Sequence, residues 1–226
     1  MIFISLGVDC MVKTALTELN YIKRKNEGGH TNVFDLTIHP YMSVIHFIEN
    51  NFRDYLQIKN VIINEENLVC DQIYNVVYVH ESPSFAQIKY DLNWYLDEKY
   101  SKEHFINENY TFLKERYDNR IKNFYKDAYS DDTKIFLHHT KTNEHCAVLY
   151  DLLTKKFNDV HLIVLNTAKT KIYDNVIKPN YEFHNLDIED DWHSSYKNKE
   201  KIRLWLFSII SNVRNKIKLC EMTTVK

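Results

Sequence analysis

Glycine and proline are scarce, three of each in a chain of 226 residues. A Rossmann or P-loop phosphate cradle needs bare backbone at several successive positions. Gly7, Gly28 and Gly29 cannot supply it, which argues against nucleotide binding of that kind and leaves no cofactor to expect. The four cysteines, Cys10, Cys70, Cys146 and Cys220, form no CxxC pair, and a chain of this size needs no disulfide framework. The opening MIFISLGVDCMVK has no basic region ahead of its apolar run, and that run is too short for a signal peptide. No segment reaches the length of a membrane span. A formal net charge of -2 gives no electrostatic reason to bind nucleic acid or an anionic membrane. Together these absences lead to the expectation of a reducing, cytoplasmic setting with neither nucleic acid nor membrane as partner.

What the chain does have is a globular composition, with 44% hydrophobic and 27% charged residues. The wealth of Tyr, Asn, Lys and Ile reads as coding bias, so the tyrosines are not taken as a binding surface. IFISL at 2–6 is a buried strand ending at Gly7. From Asp9 the spacing of Met11, Val12, Ala15, Leu16 and Leu19 becomes helical, with Asp9 or Cys10 near the cap. The loop KRKNEGGHTN follows and reads as solvated rather than as a phosphate site. Pro40 suits the first turn of a helix through Phe52, with Met42, Val44, Ile45, Phe47 and Ile48 on its apolar face. Residues 60–70 and 75–80 read as two strands. Helices are expected near 84–100 and 104–125, their aromatic residues at core spacing.

The clearest unit lies further on. KIFLHH is a strand, NEHCAVLYDLLTKKF an amphipathic helix and VHLIVLN a second strand. That is the βαβ signature, and it requires parallel pairing. KIYDNVI and YEFHNL are candidate shorter strands. A long helix over 199–220 closes the chain, with Ile202, Leu206, Ile209, Val213 and Ile217 on one face. No repeat and no linker divides the sequence. The expectation is a single α/β domain over 1–226, a three-layer sandwich whose mostly parallel central sheet is flanked by helices.

In such a sheet, ligands bind at the carboxyl ends of strands and the helix N-termini that follow them. Cys10 sits at the first such junction, where the positive end of the helix dipole favours thiolate over thiol. The alternative is a cysteine that simply packs, as buried cysteines commonly do.

At these residues the chain resembles a known family. FISLGVDCMVKTALTELNYI, followed by VFDLTIHPYMSVIHFIENNFRDYL, is similar to the putative papain-like cysteine peptidase family, first catalogued as a domain of unknown function. Ser5-Leu6-Gly7 and Cys10 match its S-L-G-x-x-C motif, and Phe34-Asp35 its Phe-Asp-Trp block, with Leu36 in place of the tryptophan. VVYVHESPSF resembles its strand ending in a histidine with an acidic neighbour, here His80 and Glu81. Arg116 and Arg120 match its arginine-bearing helix. The resemblance implies that Cys10 is a nucleophile and His80 its base, with Asp35 orienting the base or binding substrate. Backbone amides at the start of the Cys10 helix would hold the oxyanion.

Element order points elsewhere for architecture. Papain-like proteins carry their cysteine on a central helix packed against an antiparallel sheet, whereas this chain places it after strand one of a parallel unit. That order resembles the SGNH-type hydrolases, whose nucleophile follows strand one and whose Asp-x-x-His pair precedes the last helix. Asp190 and His193 stand at that place and are a second candidate dyad. His138, His139, His145 and Cys146 have the chemistry of zinc ligands, but adjacent residues diverge on a strand or a helix, so no metal is expected. The functional readings are a cysteine-nucleophile hydrolase or acyl-transfer enzyme acting on an amide or ester, a non-catalytic ligand-binding or interaction protein, and an SGNH-like deacylase acting on glycans. The substrate would be a small molecule, peptide or glycan, and the oligomeric state is left open.

Overall fold

The computed structural model describes residues 1–7, 10–83, 110–140, 146–168, 176–186 and 196–224. Among them the first strand, β1 (Ile2–Ser5), leads to helix α1 (Met11–Glu18) and then α2 (Tyr41–Glu49). Three short strands follow, β2 (Val61–Ile63), β3 (Val69–Asp71) and β4 (Val76–Val77). Helix α3 (Thr111–Ala128) precedes β5 (Lys134–Thr140), α4 (Ala147–Lys156), β6 (Val160–Asn166), β7 (Tyr181–Asn185) and α5 (Tyr196–Thr224).

The main sheet runs β1-β5-β6-β7, and every pairing within it is parallel. Its strands alternate between two cores, as a period of two requires when both faces are covered. Ile4, Phe136, Leu162 and Val164 point to one face, where α2, α3 and α4 lie. Phe3, Ile135, Leu137, Ile163 and Leu165 point to the other, against α1 and α5. All five residues expected on the inner face of α5 are buried there. The layered α/β architecture expected from the sequence is present.

Three local expectations change. Met42 is exposed, because α2 begins at Tyr41 and turns Tyr41, Val44, Phe47 and Ile48 inward instead. The run 60–70 is two strands, not one. Asn64 breaks it by accepting the Glu66 and Leu68 N–H groups on its side-chain oxygen, at 3.1 and 2.8 Å. The strand expected over 75–80 stops at Val77, and residues Val79–Glu81 form a 3-10 turn. The expected strand over 171–177 falls mostly outside the described residues, and Val176 and Ile177 are not in a strand. The expected helix over 84–100 also lies outside them, and the next one is described from Thr111.

The strands β2, β3 and β4 form a small antiparallel sheet, tied to the α2 approach by a bridge between Ile38 and Val77. Gly28 and Gly29 close the 24–29 loop. Gly28 adopts φ +81°, and a Cβ on Gly29 would collide with the Lys23 carbonyl. The loop is therefore a structural turn, in keeping with the solvated reading.

Leu162 is completely buried at the centre of the sheet, on the α2–α4 face. Leu162→Ala should lower the unfolding free energy by about 2–5 kcal/mol, measured by urea denaturation. A loss under about 1 kcal/mol would mean this face collapses around the cavity.

Candidate functional site

Cys10 occupies the N-cap of α1, beyond the carboxyl end of β1, and is half-buried. Its side chain makes no cap hydrogen bond to the helix. Its carbonyl accepts the backbone N–H and hydroxyl of Thr14, at 3.0 and 2.9 Å, which fixes the first turn. The first turn of α1 holds no acidic residue, so none there offsets the partial positive charge of the helix start.

Instead the first turn carries a lysine. Lys13 extends its ammonium to Asp35, 3.1 Å away, and also donates to the His30 carbonyl at 3.1 Å. Asp35 is completely buried. Its Oδ2 also accepts the Asn32 N–H at 2.7 Å, while its Oδ1 has no hydrogen-bond partner among the described residues. Burial pushes the Asp35 carboxyl above its ordinary range, opposed by the Lys13 charge, the Asn32 N–H and, more weakly, the Arg120 charge. The segment 30–35 is sewn to α3: Asp127 pairs with His30 at 2.8 Å and accepts from Asn32 at 3.1 Å, and Asn123 donates to the Thr31 carbonyl at 3.0 Å.

His80 lies half-buried on the 3-10 turn, not at a strand end. Ser82 anchors that turn by accepting the Val69 N–H at 2.8 Å and donating to the Tyr78 carbonyl at 2.7 Å. The neighbouring Glu81 is buried and held by two arginines of α3. Arg120 donates to its Oε1 at 3.1 Å, and Arg116 pairs with its Oε2. Arg120 also stacks over the Tyr117 ring, 4.4 Å from its centre.

The described contacts join the Cys10 helix to Asp35 through Lys13, and α3 to both the 30–35 segment and the His80 turn, through Asn123 and Asp127 on one side and Arg116 and Arg120 on the other. Asp190 and His193 lie outside the described residues, as does His145. Lys13 went unremarked in the sequence, although a cation in a first helical turn opposes the dipole and signals a nearby anion.

His138 was read only as a possible metal ligand. It is fully buried on β5 and donates its Nδ1–H to the Leu6 carbonyl at 2.7 Å, just where β1 leaves the sheet. Because a carbonyl only accepts, the imidazole is held with a bare Nε2, which has no partner among the described residues. Burial lowers its pKa to about 4. His139 contacts the Thr167 hydroxyl at 2.7 Å. No group of three His, Cys, Asp or Glu side chains suited to a metal occurs among the described residues.

A half-open cavity of about 530 Å³ lies at the opposite end of the sheet, where β6 and β7 begin, lined by residues including His161, Lys178, Glu182 and Lys216. Glu182 there is held down to about 2 by its hydrogen bonds to His184 and Lys216. Ligands of parallel sheets bind at the carboxyl ends of strands, so this groove is not the site that Cys10 marks.

The fold is a parallel α/β sheet with a cysteine at the helix start that follows its first strand. Residues 1–169 match the family model of the putative papain-like cysteine peptidases, and the chain belongs to that family. No curated protein and no solved structure matches the chain. Among the described residues no helix is long and apolar enough to cross a membrane.

Because the folded state raises the Asp35 pKa, the native protein takes up this proton more readily than the unfolded chain. Ionised Asp35 therefore costs stability at neutral pH, and the cost disappears as the pH falls through the raised value. Wild type should gain stability relative to Asp35→Asn between pH 7 and about pH 4, measured by urea unfolding at both pH values. A constant difference would show that Lys13 and the Asn32 N–H balance burial, and one that moves the other way that they outweigh it.

Proposed function

We propose that the chain is a cysteine-nucleophile hydrolase acting on an amide or ester, with Cys10 as nucleophile and His80 as base. The observation that carries this reading is the placement of Cys10: on the N-cap of α1, at the carboxyl end of a parallel strand, with no acidic residue in the helix's first turn. Membership of a family named for cysteine peptidases supports the same coarse chemistry.

The steps follow from thiol chemistry. His80 takes the Cys10 proton, and the thiolate forms a bond to the substrate carbonyl carbon. The oxygen that gains charge faces the amides at the start of α1. As the C–N or C–O bond breaks, the histidinium returns its proton to the leaving group. Water, deprotonated by the same imidazole, then cleaves the thioester and restores the thiol. Asp35 serves beside the pair as a binding or orienting carboxylate.

A second reading keeps the nucleophile and changes its partner. The parallel sheet and a nucleophile after its first strand match the order of SGNH-type hydrolases. In that arrangement Asp190 and His193, just ahead of α5, supply the dyad, and an acyl group on a sugar is the substrate class. His80→Ala and His193→Ala separate the two, since only the true base should abolish turnover.

Iodoacetamide should label Cys10 faster than Cys70 by about tenfold at pH 7. Cys70 is the natural comparison, because burial pushes its thiol up. Cys10→Ala should lower hydrolysis of a peptide or acyl-ester substrate by roughly a thousandfold. Equal, slow labelling of both thiols would refute the nucleophile, and a Cys10→Ala protein of unchanged activity would refute the hydrolase.

A further inference from the structure

We propose that Lys13 and His138 are positioning residues that hold Cys10 from its two sides, one fixing the first turn of α1 and the other the end of β1. The proposal rests on the reading of Cys10 as nucleophile given above. Cys10 lies four residues after Leu6 and three before Lys13. On the strand side, His138 of β5 donates its Nδ1–H to the Leu6 carbonyl at 2.7 Å. The Tyr41 ring of α2 packs against that imidazole, 5.5 Å from centre to centre. On the helix side, the Lys13 ammonium meets Asp35 at 3.1 Å and donates to the His30 carbonyl at 3.1 Å. Both acceptors belong to the 30–35 segment, which Asp127 and Asn123 of α3 hold in turn. The backbone on either side of Cys10 is thus tied to parts of the fold outside it.

Stability alone does not account for either side chain. A helix start is ordinarily fixed by a capping side chain, and Cys10 makes no such bond. A lysine in the first turn opposes the helix dipole, and the Lys13 side chain is only 13% exposed. Its partner Asp35 is completely buried, and Asp35 Oδ1 has no hydrogen-bond partner among the described residues. A buried ion pair of this kind seldom repays its desolvation. His138 is completely buried as well, and its bond to Leu6 leaves Nε2 without a partner among the described residues. An unpaired buried nitrogen is costly. What the two side chains supply is a fixed backbone around the thiol. Amides at a helix start stabilise a thiolate or an oxyanion only while they stay aimed at it, and small displacements are expensive.

The test compares wild type with Lys13→Met, Lys13→Arg, Asp35→Asn, His138→Phe and His138→Asn in the full chain. The first signal is backbone amide exchange, read by NMR at three positions. The Thr14 N–H, bonded to the Cys10 carbonyl at 3.0 Å, reports the first turn of α1. The Leu6 N–H, bonded to the Leu137 carbonyl at 2.8 Å, reports the end of β1, and the Leu162 N–H, bonded to the Asn180 carbonyl at 2.9 Å, the sheet as a whole. The second signal is the pH profile of Cys10 alkylation by iodoacetamide. Lys13→Met should speed Thr14 exchange, and His138→Phe Leu6 exchange, by about tenfold with Leu162 unchanged. Each should slow alkylation at pH 7 by about tenfold, the equivalent of one pKa unit of thiolate. Lys13→Arg keeps a cation for Asp35 and His138→Asn a donor for Leu6, so both should recover most of the rate. Asp35→Asn should slow alkylation less than Lys13→Met. Faster alkylation in Asp35→Asn would show that Lys13 acts through its charge on the thiolate, which overturns positioning. Wild-type alkylation in Lys13→Met or His138→Phe, or Leu162 exchange rising as much as the local amides, would also overturn it. Should Lys13→Met fail to fold, Asp35→Asn carries its test, and His138→Leu replaces His138→Phe in the same way. A wild-type Cys10 no more reactive than Cys70 would sink the nucleophile reading, while Thr14 and Leu6 exchange would still decide whether the two residues fix the backbone.

Discussion

The parallel pairing of β1 with β5 is the constraint from which the rest of the architecture follows. Ile2 through Ser5 lie opposite Lys134 through Leu137, and the ladder extends through the Leu6 N–H to the Leu137 carbonyl at 2.8 Å. Closing a contact between residues more than a hundred positions apart costs chain entropy that only a well-packed sheet offsets. The return is that α1, α2 and α3, which lie between the two strands, pack on the faces of the same sheet. Parallel strands also align their carboxyl ends, so β1 releases the chain into α1 beside the end of β5. Cys10 and the His138 contact to Leu6 are both consequences of that single pairing. Residues 11–16 then cover one face while α2 and α3 cover the other. The loop 30–35 passes close enough for Asp35 to meet Lys13.

The buried charges show what this arrangement gives up. Asp35, Glu81 and Arg120 are withdrawn from water, and Asp35 Oδ1 and Arg120 Nη1 lack hydrogen-bond partners among the described residues. His39 stands in contrast to them. His39 is as deeply buried, yet both its ring nitrogens are engaged, by Thr37 at 2.9 Å and Tyr55 at 3.2 Å, and burial lowers its pKa to about 3. The contrast is between a buried histidine whose polar atoms are all engaged and buried charges that are only partly paired.

Much of the sheet was legible because its strands announce themselves twice. VHLIVLN is a continuous apolar run, as strands covered on both faces must be, and it forms β6 over the whole of that run. The αβ alternation around it dictated parallel pairing before any register was known. The inner face of α5 was legible for a similar reason, since five residues at helical spacing leave little choice. Met42 was misplaced because its helix is apolar nearly all round, and periodicity cannot then say which side faces in. Asn64 cut a strand that composition alone joined, because its effect lies in a side-chain hydrogen bond. For the site, the position of Cys10 was readable from one strand followed by one helix. Its neighbours were not: Lys13, Asp35, Glu81 and Arg120 come from four separate elements, and nothing in local spacing brings them together. The motif resemblance named three of the four without saying that Glu81 meets Arg120 or that Asp35 meets Lys13.

The family name and the architecture pull in different directions, and the physics of the nucleophile reconciles them. A papain-type cysteine is placed by a helix set against an antiparallel sheet. Here the helix follows a strand of a parallel sheet. What the two have in common is local: a thiol at the start of a helix, where the summed peptide dipoles and the unsatisfied amides favour negative charge. That requirement concerns about one turn of backbone and is indifferent to the fold behind it, which is why unrelated folds arrive at the same nucleophile. The base that the proposed chemistry requires at a fixed distance is not a local matter and depends on the fold. In this chain the turn that carries His80 hangs from a small antiparallel sheet at the side of the main one, outside the parallel ladder that fixes Cys10. Helix α3 touches both parts: Arg116 and Arg120 pair with Glu81 beside His80, while Asn123 and Asp127 hold the segment that brings Asp35 to Lys13.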